Sequence, residues 1–414
     1  MDFKPKSHEK IRQLIKRGVD IRNPDTVDIG DEVNINRISE KAVRIYPGCR
    51  IYGSKTVISS GCKLGYEAPA TIEDCQLGAN VELKGGFFSK SVFLEKSSMG
   101  MGAHVREGCI LEEEANGAHG VGLKQTILFP FVTLGSLINF CDCFMAGGTS
   151  RSNHSEVGSS FIHFNFTPDA DKATPSLIGD VPRGVMLNQP PIFLGGQGGM
   201  IGPVRLGYGN VVAAGSILRN DCPQSNQLIF DAPRSTNSRD VIAACYPNFR
   251  RIVKNNILYL ANIKALEAWY AHVRKPFFDV QEFGPLIYAE AMDQFNVMTK
   301  ERLRRLRQMA QKAVAVSARE IKPDSLKERK DLLKKMKNIE VIASEEISDS
   351  TILKARKAFI RDVEQYCSTR HNSYIENVQN FPAETAAKGS KWLLKIIDCY
   401  CQRISTVIPS LPLI

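Results

Sequence analysis

The stretch LGGQGGMIGPVRLGYGNVVAAGSIL, from Leu194 to Leu218, decides the fold. Its glycines could cradle a phosphate, but a dinucleotide loop gathers its glycines in one turn between a strand and a helix. Here they continue with no helical stretch after them. The aliphatic residues settle the matter, because Leu194, Met200, Leu206, Val212 and Leu218 recur at an interval of six. The residues that follow the first four, Gly195, Ile201, Gly207 and Ala213, are small or aliphatic. This is a hexapeptide repeat, in which each unit is a short strand with an aliphatic side chain inward and a corner after it.

The same interval runs through the chain upstream. Ile45, Ile51 and Val57 keep it, as do Leu77 and Leu83, and then Met99, Val105, Leu111, Leu123 and Phe129, with Gly117 alone out of pattern. Residues 25 to 222 therefore read as strands wound three to a coil, stacked in parallel around an aliphatic column. Crossover rules by themselves favour a right-handed winding. Beyond DCPQSNQLIFDAPRSTNSRD the interval changes: Ile252, Tyr259, Ile263, Leu266, Tyr270, Val273 and Phe277 recur at mostly three- and four-residue steps, the stripe of an amphipathic helix. Four more amphipathic segments follow. The organisation is a lead-in helix within residues 1–24, a parallel β-helix over 25–236 and an all-α helical C-terminal domain over 237–414.

With 414 residues, 43% of them hydrophobic, the chain can bury more than one core, and its formal charge of +10 suits anionic partners. Acidic residues interleave with the basic ones of the helical domain, which points to solvated bundle faces rather than a nucleic-acid surface. The 11 cysteines include no C-x-x-C pair, so a disulfide framework or zinc finger is not expected and a reducing cytoplasm fits best. The charged start MDFKPKSHEKIRQLIKRG lacks the apolar core of a secretory signal. The most apolar run, ILFPFVTLGSLINF, is interrupted by Pro130 and Gly135 and falls short of the ~20 residues a membrane span needs.

Polar residues gather where an ideal coil would not want them, in GGTSRSNHSEVGSSFIHFNFTPDADKATPSLIGD, Gly147 to Asp180. If FIHFNF is a strand, Ile162, Phe164 and Phe166 share one face and His163 and Asn165 the other. The apolar trio is expected to face the core, leaving His163 and Asn165 outside, next to a Pro/Asp-rich loop of the kind that builds sites on repeat folds.

The order SNHSEVG, NFTPDADK, SLIGD and IFLGGQGGMIGPVRLGYGNVVAAGSIL resembles the acetyltransferase half of the bifunctional bacterial enzyme that makes UDP-N-acetylglucosamine, one of the hexapeptide acyltransferases. The resemblance covers about half the chain. It implies a left-handed parallel β-helix, usually a homotrimer with active sites between subunits, and transfer of an acetyl group from acetyl-CoA to the amine of an amino sugar phosphate or nucleotide sugar. It further implies His154 as the base, with His163 as a rival, Asn165 and Lys172 orienting the substrate, and Arg183 as a further cation for it. Gly196, Ala213 and Ala214 stand where the pantetheine arm approaches the backbone, and Arg234 near the arginine that meets the CoA phosphates. Phe166 stands where the family has a tyrosine, and the gap from His154 to Asn165 is shorter than the family's.

The other half of that enzyme, a nucleotidyltransferase, has a glycine-rich loop near its start, and nothing like it precedes Asp25, so uridylyl transfer is not expected. Chains of this organisation look like those described as UDP-N-acetylglucosamine pyrophosphorylase-related, a name that fits the half not seen here. Two competing readings stand beside the acyltransferase. One is a non-catalytic scaffold that binds sugar nucleotides while its helical domain recruits partners. The other is a γ-type carbonic anhydrase, whose zinc needs three close histidines; here His104, His119 and the rest are scattered.

Overall fold

A computed structural model describes residues 6–165, 171–231, 243–315, 323–346, 349–368 and 372–411. Strands from Asp20–Ile21 to Leu228–Ile229 form three parallel sheets of 11, 10 and eight strands, the three faces of a solenoid. The chain visits the faces in rotation: Arg44–Ile45 lies on the first, Arg50–Tyr52 on the second and Val57–Ile58 on the third, and Lys63–Leu64 returns to the first. The hexapeptide aliphatics form the inner column, with Ile45, Ile51, Leu83, Val105, Leu194 and Met200 all but inaccessible. Gly117 fits the column because Met99 fills its place: a Cβ there would come within 2.9 Å of the Met99 methyl.

The interval is less strict than the sequence suggests. On the third face the register pairs Ile58 with Leu77 and Leu128 with Met145, so Ile58 and Leu128 take the column positions expected of Val57 and Phe129. Val57 and Phe129 are buried all the same. The helical domain causes this by covering the third face. Strands such as Ser91–Phe93, Cys109–Leu111 and Cys143–Met145 are buried at every residue, and doubly covered strands lose their alternation.

Helix α1 (Lys6–Arg17) caps the first coil, where Lys10 Nζ donates to the carbonyls of Gly30, Asp31 and Val33 at 2.7–2.8 Å. The short α2 (Val181–Gly184) interrupts a late coil. After the solenoid come α3 (Phe249–Trp269), a π-turn (Tyr270–Arg274), α4 (Lys275–Asp279), α5 (Gly284–Val314), α6 (Pro323–Ser344), α7 (Ser350–Cys367), α8 (Tyr374–Gln379) and α9 (Ala383–Val407). Helices α3 and α5 lie against the third face. The chain contains no helix among the described residues long and apolar enough to cross a membrane.

Buried ion pairs bolt the helices to the solenoid. Arg302 of α5 reaches Asp142 at 2.6 Å, both side chains 2–3% exposed, and donates to the Lys172 carbonyl at 3.2 Å. Arg274 lies between Glu112, at 3.1 Å, and Glu113, with its guanidinium 4.0 Å from the centre of the Tyr374 ring. Burial pushes the Glu112 carboxyl up to about 7, against the opposing pull of Arg274. Side-chain amides add to these pairs, with Asn262 accepting from the Val181 amide at 3.0 Å and Gln379 donating to the Thr149 carbonyl at 2.6 Å.

Removing one member of a buried pair strands the other in a low-dielectric interior. Arg302→Met is therefore expected to lower unfolding free energy by roughly 3–5 kcal/mol in urea titrations. The double variant Arg302→Met/Asp142→Leu is expected to recover most of that loss. Equal stability of the single variant and the parent would refute the assignment.

Candidate active site at the coil corners

One excursion from the solenoid, a hairpin, sits between the third and first faces. Gly148–Ser150 pairs antiparallel with Asn153–His154, a hairpin inserted between the third-face strand Cys143–Met145 and the first-face strand Glu156–Val157. Gly148 closes it, with φ at +96° and room for no side chain: a Cβ would fall 2.6 Å from the His154 Cα. Arg151 at the tip reaches back across earlier coils and donates to the carbonyls of Glu114 (3.1 Å) and Phe131 (2.8 Å) and to Thr133 Oγ1 (2.9 Å).

His154 is held by this anchor. Its Nδ1 lies 2.8 Å from the Arg151 carbonyl, and since a carbonyl can only accept, Nδ1 carries the proton. In the neutral ring Nε2 is then left with its lone pair, 3.7 Å from Glu156 Oε2, on a side chain 20% exposed. That is the tautomer a base needs. Arg183 lies at the same corner one coil further on, in α2, where its Nε donates to Asp180 at 2.7 Å and its guanidinium lies 4.8 Å from the centre of the Tyr208 ring. Sequence reasoning missed Arg151 and Glu156, although Arg151 lies only three residues before His154 and Glu156 two after it.

Asn165 and Lys172 occupy another corner, between the second and third faces. Both are half-buried, and their segment is tied to neighbouring chain through their carbonyls: that of Asn165 accepts from Thr174 Oγ1 and that of Lys172 from Arg302, each at 3.2 Å. Phe166 and Arg234 lie outside the described residues.

His163 requires a correction. The strand Ile162–Phe164 is turned the opposite way from the expectation, with Ile162 39% and Phe164 40% exposed and His163 buried. His163 pairs with Met200 in the inner column, where its Nε2 lies 2.8 Å from Ser176 Oγ. Burial lowers its pKa to about 4, so it is a neutral core residue with no path to a substrate, and the role of rival base lapses.

The third corner, between the first and second faces, carries Gly196, Ala213 and Ala214. Coils approach so closely here that a Cβ on Gly195 would fall 2.4 Å from the Ala214 nitrogen, and one on Gly158 would fall 2.4 Å from the Gly196 nitrogen. The amides of Gly195, Gln197, Ala213 and Gly215 bond to carbonyls of neighbouring coils or turns at 2.8–3.0 Å. Those of Ser159, Gly196 and Ala214, the middle residues of three successive corners, have no acceptor among the described residues. The result is a short column of unengaged N–H groups about 4.8 Å apart, the spacing of stacked strands.

The candidate residues thus fall at three corners, with His154 and Arg183 together, Asn165 and Lys172 together, and the small residues apart. His119 bonds to Ser136 Oγ at 2.9 Å and His104 lies against Phe87, with ring centres 5.1 Å apart. No group of three His, Cys, Asp or Glu residues among the described residues could hold a metal ion.

No protein-family model matches the chain. It is 29% identical to the bifunctional protein GlmU of Thermotoga maritima over 215 residues, 52% of this chain and 42% of that protein. It is 28% identical to the bifunctional protein GlmU of Carboxydothermus hydrogenoformans over 234 residues, 56% of this chain and 46% of that protein. The chain therefore spans less than half the length of these relatives. Its parallel β-solenoid and this similarity agree with the hexapeptide resemblance read from the sequence.

The buried imidazole gives a pH test. A base with its pKa lowered from 6.5 to about 4 stays neutral in the folded protein while the unfolded chain protonates, so stability is lost as pH falls from 6.5 toward 4. The loss is expected to reach roughly 3 kcal/mol at the acid end. In His163→Met, denaturant titrations across this range should lack that component of the acid slope; an unchanged slope would contradict the burial of a neutral ring.

Proposed function

We propose that the chain is an acetyl-CoA-dependent acyltransferase that N-acetylates an amino sugar phosphate or nucleotide sugar in the cytoplasm, as a homotrimer. The observation that carries this reading is the column of unengaged amides at Ser159, Gly196 and Ala214, at corners where Gly158 and Gly195 have no room for a Cβ. A pantetheine arm is thin, carries amide carbonyls along its length and can lie along such a column. Arg234 would meet the CoA phosphates.

In the proposed step the acceptor amine attacks the thioester carbonyl while His154 Nε2 takes its proton. The C–N bond forms, the C–S bond breaks, and the departing CoA sulfur takes the proton from His154. Glu156, 3.7 Å from Nε2, would steady the imidazolium between these transfers. Asn165, Lys172 and Arg183 would orient the sugar and its phosphate, the two cations by charge.

His154 precedes the strand Glu156–Val157 and the amide column follows it, so the two lie at opposite ends of a first-face strand. A neighbouring copy would bring another chain's corner to each. The third face is covered by helices, whereas outward apolar side chains remain on the other two: Phe193, Val211 and Leu228 form a ladder on the first face, and Ile162, Phe164 and Ile201 cluster on the second. These support packing between copies.

With glucosamine 1-phosphate and acetyl-CoA, CoA release is expected, and His154→Gln is expected to lower kcat by about 10²–10⁴-fold. Binding of acetyl-CoA or a UDP-sugar without turnover, unaffected by His154→Ala, would favour the scaffold instead. Light scattering is expected to give a mass three times the 46.0 kDa chain, and Val211→Asp to reduce it. A parent protein of single-chain mass would contradict the trimer.

A further inference from the structure

The helical domain holds a cavity of about 310 Å³ between α3, α5, α7 and α9, remote in sequence from the candidate residues at the solenoid corners. Its wall is apolar, formed by Ala268, Met292, Ile352, Trp392 and Ile396. Its size falls at the lower end of small-molecule sites. Part of its floor is the π-turn Tyr270–Arg274, and the local sequence explains that turn. Pro276 has no N–H to offer the His272 carbonyl, so the α-helical ladder cannot continue through this point and the backbone widens. The widened turn serves two sides at once: Tyr270 and Arg274 reach the solenoid at Glu112 and Glu113, while His272 lines the cavity.

Charged groups ring the mouth, and most of them satisfy one another. Lys264 Nζ lies 2.9 Å from Glu267, and Glu345 pairs with Arg403. Two do not. Arg356 has no carboxylate within ion-pair distance among the described residues; its Nη1 donates to His272 Nε2 at 2.8 Å, which makes the imidazole the acceptor and holds the guanidinium at the cavity wall with N–H groups to spare. Burial and the Arg356 charge both hold the His272 pKa below its usual value, consistent with a neutral ring. Glu346 has no cation within ion-pair distance among the described residues, and it stands near enough to His272 to act on it electrostatically.

One unmatched cation and one unmatched carboxylate at the mouth of an apolar cavity complement a ligand with both charges and an apolar body. We propose that this cavity binds an apolar α-amino acid, its carboxylate on Arg356, its ammonium on Glu346 and its side chain against Trp392 and Ile352. This site is independent of the proposed acyl transfer and requires none of the solenoid's corner residues.

The test is calorimetric titration of the full chain with L-phenylalanine and L-leucine, alongside 3-phenylpropionate, which lacks the ammonium, and phenethylamine, which lacks the carboxylate. Saturable one-to-one binding of at least one amino acid is expected, with each truncated analogue at least about tenfold weaker than phenylalanine. Arg356→Met should weaken amino-acid binding by a similar factor and leave phenethylamine unchanged, and Glu346→Gln should do the reverse, sparing 3-phenylpropionate. Ala268→Leu, which fills the cavity without touching either charge, should abolish binding and serves if Arg356→Met fails to fold. The proposal is overturned by an absence of saturable binding up to about 10 mM, by equal affinities for phenylalanine and both analogues, or by folded variants that bind like the parent.

Discussion

Successive coils meet backbone to backbone at the corner between the first and second faces, and this contact constrains the rest of the solenoid. Gly158 and Gly195 admit no Cβ because the next coil's nitrogen would stand 2.4 Å from it. The glycines that look like a phosphate loop in the sequence are there to let coils stack. Their consequence is chemical as well as structural. With no room for a Cβ on Gly158 or Gly195 and alternate amides tied into the stack, the middle amide of each late corner has no acceptor among the described residues.

The helical domain determines which surfaces of the solenoid remain open. Arg274 and Arg302 enter the third face as charges and are neutralised there by Glu112, Glu113 and Asp142. Buried pairs of this kind contribute little net stability but penalise any misplacement of the domain, because a displaced arginine leaves an uncompensated charge. The same face delivers Arg302 to the carbonyl of Lys172, so the helices also position the loop that carries a candidate substrate cation. Catalytic candidates and helical domain are in this way physically continuous.

Much of the fold was legible because few architectures besides a three-sided coil place an aliphatic inward at every sixth residue. The column from Ile45 to Leu218 and the switch to helical periodicity both emerged from spacing alone. The register of one strand did not. In FIHFNF the apolar residues alternate with polar ones, and alternation says only that the two sets face opposite ways; a one-residue slip exchanges core and surface. His163 took the column position because Ser176 offers its imidazole a partner inside, while Ile162 and Phe164 lie outward beside Ile201. Val57 and Phe129 misled for a related reason: a face covered on both sides is apolar at every position, so the interval of six could be drawn through the wrong residue. His154 could be picked out as a candidate, but its tautomer could not, since that depends on the carbonyl of Arg151 and on a hairpin whose anchors lie coils away. The ion pairs between domains left no local signal at all, because each joins residues far apart in the chain.

The claim on which the functional account turns is that the unengaged amides of Gly196 and Ala214 receive a thioester cofactor. An experimental structure of the protein with CoA tests it most directly. The account predicts the pantetheine arm along the corner between the first and second faces, its carbonyls within hydrogen-bond distance of those two nitrogens, with His154 of an adjoining copy facing the sulfur end. CoA bound against another surface, or a corner that stays empty at saturating CoA, would contradict it.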